Sequence, residues 1–139
     1  MSQKLEKHNE CKKTYEFKAK LSGRNEVPAN CSKAHGYLKA VLSHDKKKLY
    51  FKIKFEGLKH ITAAHFHLAP ECFNGPVVRN LKFDNCSNII EGKWTQCDAE
   101  QPLFKYLVKQ LFKGKIYVNI HTKKYPDGEI RGQLREICY

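Results

Sequence analysis

Missing from this 139-residue sequence is any apolar run approaching the ~20 residues that a membrane-crossing helix needs. Its start, MSQKLEKHNECKK, has no apolar stretch of the signal-peptide kind, so the chain as given announces neither a span nor export. No CxxC pair occurs, which argues against zinc ribbons and thioredoxin-type dithiols. A phosphate loop, GxSxG, HExxH and a dinucleotide fingerprint are also lacking, and nucleotide-binding and hydrolase classes fall away with them. Neither an internal repeat nor a linker divides the chain, so one domain is expected over residues 14–139, after a short extension at 1–13.

Charge is what the sequence has in excess. Against 14 Asp+Glu stand 26 Lys+Arg, a net charge of +12 that favours anionic partners, and arginine occurs only at positions 24, 79, 131 and 135. Lys18, Lys20, Lys39, Lys52 and Lys54 fall on alternate positions with Tyr37 and Tyr50 among them. Such a pattern fits a solvated face and equally a surface for phosphate or sulfate polymers, with nothing that specifies nucleic acid.

Six cysteines, Cys11, Cys31, Cys72, Cys86, Cys97 and Cys138, form an even and widely spaced set. That usage predicts a disulfide framework in an oxidising place, extracellular or virion; the alternative is an intracellular protein with buried thiols. Cys11 and Cys138 flank the domain and are placed to tie its ends. Asn30-Cys31-Ser32 and Asn85-Cys86-Ser87 match the N-glycosylation pattern.

Period-two alternation predicts strands at 15–21, 37–43, 49–56, 62–68, 77–83, 116–122 and 129–137. The polar run 44–48 reads as one hairpin turn and Tyr125-Pro126-Asp127-Gly128 as another. From 102 to 112 the spacing of Leu103, Leu107 and Leu111 is helical, with Pro102 suited to a first turn and Gly114 to a stop. Trp94 is a candidate core anchor. Many short strands with one helix make a mainly β, antiparallel sandwich or barrel.

Direction singles out three histidines. In Ala64-His65-Phe66-His67-Leu68, alternation sends His65 and His67 to the face opposite the core, and in 116–121 it sends Tyr117, Asn119 and His121 outward. Two imidazoles at i and i+2, joined by a third from another strand, form a three-nitrogen site suited to copper or zinc with one position open. The alternative is three surface histidines. Across the final hairpin, Glu129 and Arg131 share the outward face: Glu129 is placed to orient His121, and Arg131 to draw an anion toward a metal. An ordinary surface ion pair is the competing reading.

Three blocks, FKAKLSGRNEVPAN, TAAHFHLAPECFNGPVV and YVNIHTKKYPDGEIRGQL, together resemble the CHRD domain, the module repeated in chordin. The shared motif positions are Asn25, Glu26, Val27, Pro28, His65, His67, Asn74, Gly75, Pro76, His121, Tyr125, Pro126, Gly128, Glu129 and Arg131. The resemblance implies an extracellular or surface-exposed β-sandwich with Greek-key connections, of immunoglobulin or superoxide dismutase kind. The HxH with one later histidine is also similar, more loosely, to the copper site of Cu,Zn superoxide dismutase. The leading expectation is a disulfide-stabilised binding or structural module, with copper or zinc on His65, His67 and His121 and an unknown protein or polyanionic surface as partner. A copper-dependent redox enzyme on the same histidines is one alternative, and a polyanion-binding module using the lysine face another.

Overall fold

Alternation of buried and solvent-facing side chains sets the strands. The computed structural model describes residues 12–139 and contains nine strands: β1 Tyr15–Ser22, β2 His35–Leu42, β3 Lys48–Glu56, β4 Ile61–Leu68, β5 Val77–Asn80, β6 Ile89–Thr95, β7 Ile116–Thr122, β8 Ile130–Gln133 and β9 Arg135–Glu136. Helix α1, Lys105–Phe112, lies between β6 and β7. Cys11 and the expected extension up to residue 11 lie outside the described residues.

Eight strands follow one path, β5-β4-β7-β8-β1-β2-β3-β6, with β9 added on β1. All pairings are antiparallel, and the β1–β8 junction is held by a single registered pair, Ser22 with Arg131. The path folds into two facing layers, β6-β3-β2-β1 and β5-β4-β7-β8, with the connections β3 to β4 and β5 to β6 crossing between them. This is the mainly β, sandwich-like architecture that the alternation predicts.

Apolar side chains of both layers meet in one core. Phe66 of β4 packs edge-on against Phe51 of β3, with ring centres 5.1 Å apart, and stacks on Trp94 of β6 at 5.4 Å. Trp94 is fully buried and its indole N–H donates to Gln101 O at 2.7 Å, so the anchoring ring leaves no polar atom unpaired. Leu107 and Leu111 of α1 close one side of the same core.

Several boundaries differ from the sequence reading. The helix begins at Lys105 rather than 102, because the Leu103 N–H donates to Thr95 O and ties the preceding segment to β6. Gly114, at φ 73°, ends it as expected. The expected strand 129–137 is two: β8 pairs with β7 and β9 with β1, and the chain changes partner at fully buried Leu134. Alternation does not reveal β6 because Gly92 stands at the inward position between Ile90 and Trp94 and leaves a gap in the apolar set. β5 stops at Asn80, and Asn85 then pins the following loop by bonding both Ile61 N–H and Ile61 O.

Because Phe66 fills the space between layers, Phe66→Ala is expected to cost about 3–5 kcal/mol. Tyr50→Ala, on the solvent side of β3, is expected to stay within about 0.5 kcal/mol of the wild type. Urea unfolding of both variants checks this, and equal midpoints would contradict the packing described.

Candidate metal centre

The β5-β4-β7-β8 layer is polar on its outer side, yet that side is covered. Register places His65, Asn119 and Arg131 in one row across β4, β7 and β8, and His67, Tyr117 and Gln133 in the next. Over these rows lie the β4–β5 loop and the segment joining β1 to β2. Sequence alternation sends Tyr117, Asn119 and Arg131 outward, but the two loops bury all three.

The three imidazoles come together. His121 sits diagonally from His65, since its registered partner is Ala63, and their ring centres are 5.0 Å apart. His65 and His67 are 5.3 Å apart, and one ring nitrogen from each of the three lies within 4.8 Å of the others. Around a tetrahedral ion, nitrogens bound at 2.0–2.1 Å stand about 3.4 Å apart, so a small inward rotation of the rings suffices for binding.

Backbone carbonyls set the protonation of two of the rings. His67 Nδ1 lies 3.0 Å from Gly75 O and His121 Nδ1 lies 2.8 Å from Pro126 O. A carbonyl oxygen accepts only, so each Nδ1 carries the proton and each Nε2 of the neutral ring presents a lone pair. This is the outer-shell arrangement that commits an imidazole to metal through Nε2. His65 Nδ1 is buried and, among the described residues, has no hydrogen-bond partner. Such a buried, unpaired nitrogen is uncommon and leaves an unused donor or acceptor atom beside the other two rings.

Asn119 stands between the two lone pairs, its Oδ1 2.8 Å from His67 Nε2 and 3.2 Å from His121 Nε2. Two acceptors call for a donor, and a 180° turn of the amide supplies its NH2 group to both rings. The turned amide presents its oxygen to Glu26, whose carboxyl is pushed up to about 7 by burial, with Arg131 pulling the other way. A protonated Glu26 donates where a carboxylate cannot. His65 is pushed down to about 4 by burial and by its two imidazole neighbours, and His67 is lowered mainly by burial. Both rings are therefore neutral and ready to ligate at neutral pH.

Arg131 holds the cover in place. It is 1% exposed, and its guanidinium donates to Phe73 O at 2.8 Å, to Pro70 O at 3.3 Å and to Asn74 Oδ1 at 3.3 Å. Its Cζ lies 3.5 Å above the Tyr117 ring, which stacks parallel on His67 with centres 4.6 Å apart. Two glycines make the closeness possible. A Cβ at Gly75 would overlap the Leu68 carbonyl, and one at Gly128, where φ is 123°, would stand 2.6 Å from Glu26 Oε2 and 2.7 Å from Asn119 Nδ2.

Several expected roles are corrected. Glu129 does not orient His121: its carboxylate accepts from Ser32 Oγ at 2.6 Å and Thr122 Oγ1 at 2.7 Å, and the Pro126 carbonyl does the orienting. Arg131 faces loop carbonyls rather than an open anion path, and neither residue belongs to a surface ion pair with the other. Cys31, Cys72, Cys86, Cys97 and Cys138 are free and exposed, so no bridge joins these five, and the buried-thiol alternative fails for them too. Both sequon asparagines are spent on the fold, Asn30 donating to Glu129 O at 3.1 Å and Asn85 to Ile61 O at 3.1 Å. Glycosylation at either nitrogen would break these bonds. Glu26 and Asn119 are the functional neighbours that residue-by-residue reading missed; the NEVP string was the available signal for the first.

A family model of the CHRD domain matches residues 17–134. No curated protein and no solved structure matches the chain.

Burial of Glu26 makes stability depend on pH in a stated direction. Its folded value of about 7 lies above the ordinary 4.5, so its contribution is intact below pH 4.5 and lost as pH rises to about 7. His65, lowered from 6.5 to about 4, acts oppositely and loses stability as pH falls through that window. Glu26→Gln isolates the first effect. Relative to this variant the wild type is expected to lose on the order of 3 kcal/mol between pH 4.5 and pH 8 in urea unfolding. A difference independent of pH would contradict a protonated Glu26.

Proposed function

Since the chain belongs to the CHRD domain family, we propose that it is a stand-alone binding module that holds a copper or zinc ion on His65, His67 and His121. The observation that carries the reading is the paired commitment of His67 Nδ1–H and His121 Nδ1–H to backbone carbonyls, which leaves two Nε2 lone pairs that only the Asn119 amide engages, beside an unpartnered His65 nitrogen. Three imidazoles with an open fourth position suit Zn(II) and Cu(II), and the divalent series favours copper at equal availability. His65 and His121 are half-buried, so the position stays reachable from solvent while His67 anchors it from beneath the loops.

A redox enzyme of dismutase type is the less supported reading. The likeness to a dismutase copper site finds no support in the comparisons, and Arg131, the residue assigned to guide an anion, is occupied by loop carbonyls. An extracellular setting fits the family, and five exposed thiols give the protein bridging capacity toward partners.

Purified protein loaded with Cu(II) or Zn(II) and dialysed is expected to retain about one ion per chain by elemental analysis. His67→Ala or His121→Ala is expected to weaken binding by about 100-fold or more, with His35→Ala unchanged. Metal at a hundred times its dissociation constant is expected to stabilise the fold by about 2.7 kcal/mol. Equal retention by the wild type and the triple alanine variant would refute the site. Superoxide turnover by copper-loaded wild type above that of His121→Ala would move the reading to the enzyme.

A further inference from the structure

The opposite side of the molecule, the solvent face of the β6-β3-β2-β1 layer, takes no part in the histidine centre. Registered pairing turns the lysines of the sequence into rows: Lys18, Lys39 and Lys52 lie directly opposite one another across β1, β2 and β3, and the next row reads Lys20, Tyr37 and Lys54. On the other flank lie Val41, Tyr50 and Lys93. Like charges facing each other across strands cost stability, so a three-lysine row is a liability in the free protein.

Acids offset it only in part, since Glu91 of β6 faces Lys52 at one end of the row and no acid faces Lys39. Among the described residues the ion pairs are His35 with Glu56, Arg79 with Asp98, and Arg135 with Glu71, and none contains a lysine. On this face Glu16, Glu56 and Glu91 stand among the lysines; Glu16 accepts from the Tyr139 hydroxyl and Glu56 pairs with His35. Tyr37 and Tyr50 are 47% and 48% exposed, with the Lys39–Lys52 pair between them. Four residues of strand and one strand of width put the two tyrosines about 14 Å apart.

We propose that this face binds single-stranded nucleic acid, with phosphates on the lysine rows and bases stacked on Tyr37 and Tyr50. A flat β-surface that alternates cations with exposed rings is the arrangement such binding requires, and the spacing suits a few nucleotides. Lysine supplies point charges without the bidentate fork that selects a fixed sulfate or carboxylate geometry. A charge-only partner leaves the half-exposed rings without a use, whereas every base offers a face to them.

The test is fluorescence anisotropy of a labelled dodecameric oligothymidylate with the whole protein. Binding is expected at low salt and to weaken with a log–log salt slope of about −2 to −3, as for three to four phosphates. Lys39→Glu with Lys52→Glu is expected to weaken it at least about tenfold, and Tyr37→Ala or Tyr50→Ala by about 5- to 100-fold each. Tyr37→Leu and Tyr50→Leu, which keep apolar bulk, serve if an alanine variant loses its far-ultraviolet circular dichroism. The variant lacking His65, His67 and His121 is expected to bind as the wild type does, which separates this proposal from the metal reading. Absence of binding at low salt, tyrosine variants that bind normally, or a heparin fragment of equal charge that competes better irrespective of the tyrosines would overturn it.

Discussion

A guanidinium cannot be hidden from water unless acceptors surround it, and meeting that demand for Arg131 organises the polar half of this molecule. Its acceptors are the carbonyls of Pro70 and Phe73 and the side chain of Asn74, so satisfying the charge presses the β4–β5 loop onto the sheet. The pressed loop carries Gly75, whose carbonyl takes the His67 proton and whose N–H donates to the Tyr117 hydroxyl. Asn74 also donates to Val27 O, and Asn30 to the carbonyls of Gly128 and Glu129, so the β1–β2 segment is drawn over the same face. The three family blocks, distant in sequence, thus meet as one polar cluster.

What the cluster gains is two imidazoles held neutral, those of His65 and His67, with His121 oriented beside them by the Pro126 carbonyl. Burial lowers His65 and His67, and mutual repulsion among the three rings adds to that effect. Glu26, its carboxyl raised by burial, lies behind the Asn119 amide that faces the two Nε2 atoms. Ordering so many polar groups away from water, with one nitrogen left unpaired, costs stability.

Much of this was legible in the sequence, for reasons that have a period. A strand side chain repeats every two residues, so Phe17, Leu38, Ile53 and Phe66 could be assigned to the core, and His65, His67 and His121 to one shared face, before any coordinates. Periodicity is silent about cover. It cannot tell a face in water from a face beneath a loop, and for that reason Arg131 and Glu129 were read as surface groups although they are 1% and 6% exposed. It is equally silent about backbone acceptors, and the orientation of His121 was assigned to a carboxylate when Pro126 O provides it. The short motif positions Gly75, Pro126 and Gly128 carried that information in a form that only tertiary contact decodes.

The two faces divide the chemistry: neutral imidazoles under loops on one layer, unpaired lysines and open tyrosines on the other. Nuclear magnetic resonance of the imidazole nitrogens in metal-free protein at neutral pH tests the central geometric claim most directly. The account predicts that His67 and His121 both carry their proton on Nδ1, with Nε2 unprotonated. Protons found on Nε2 of either ring would mean that its lone pair points at a carbonyl instead of into the cluster, and would contradict the site.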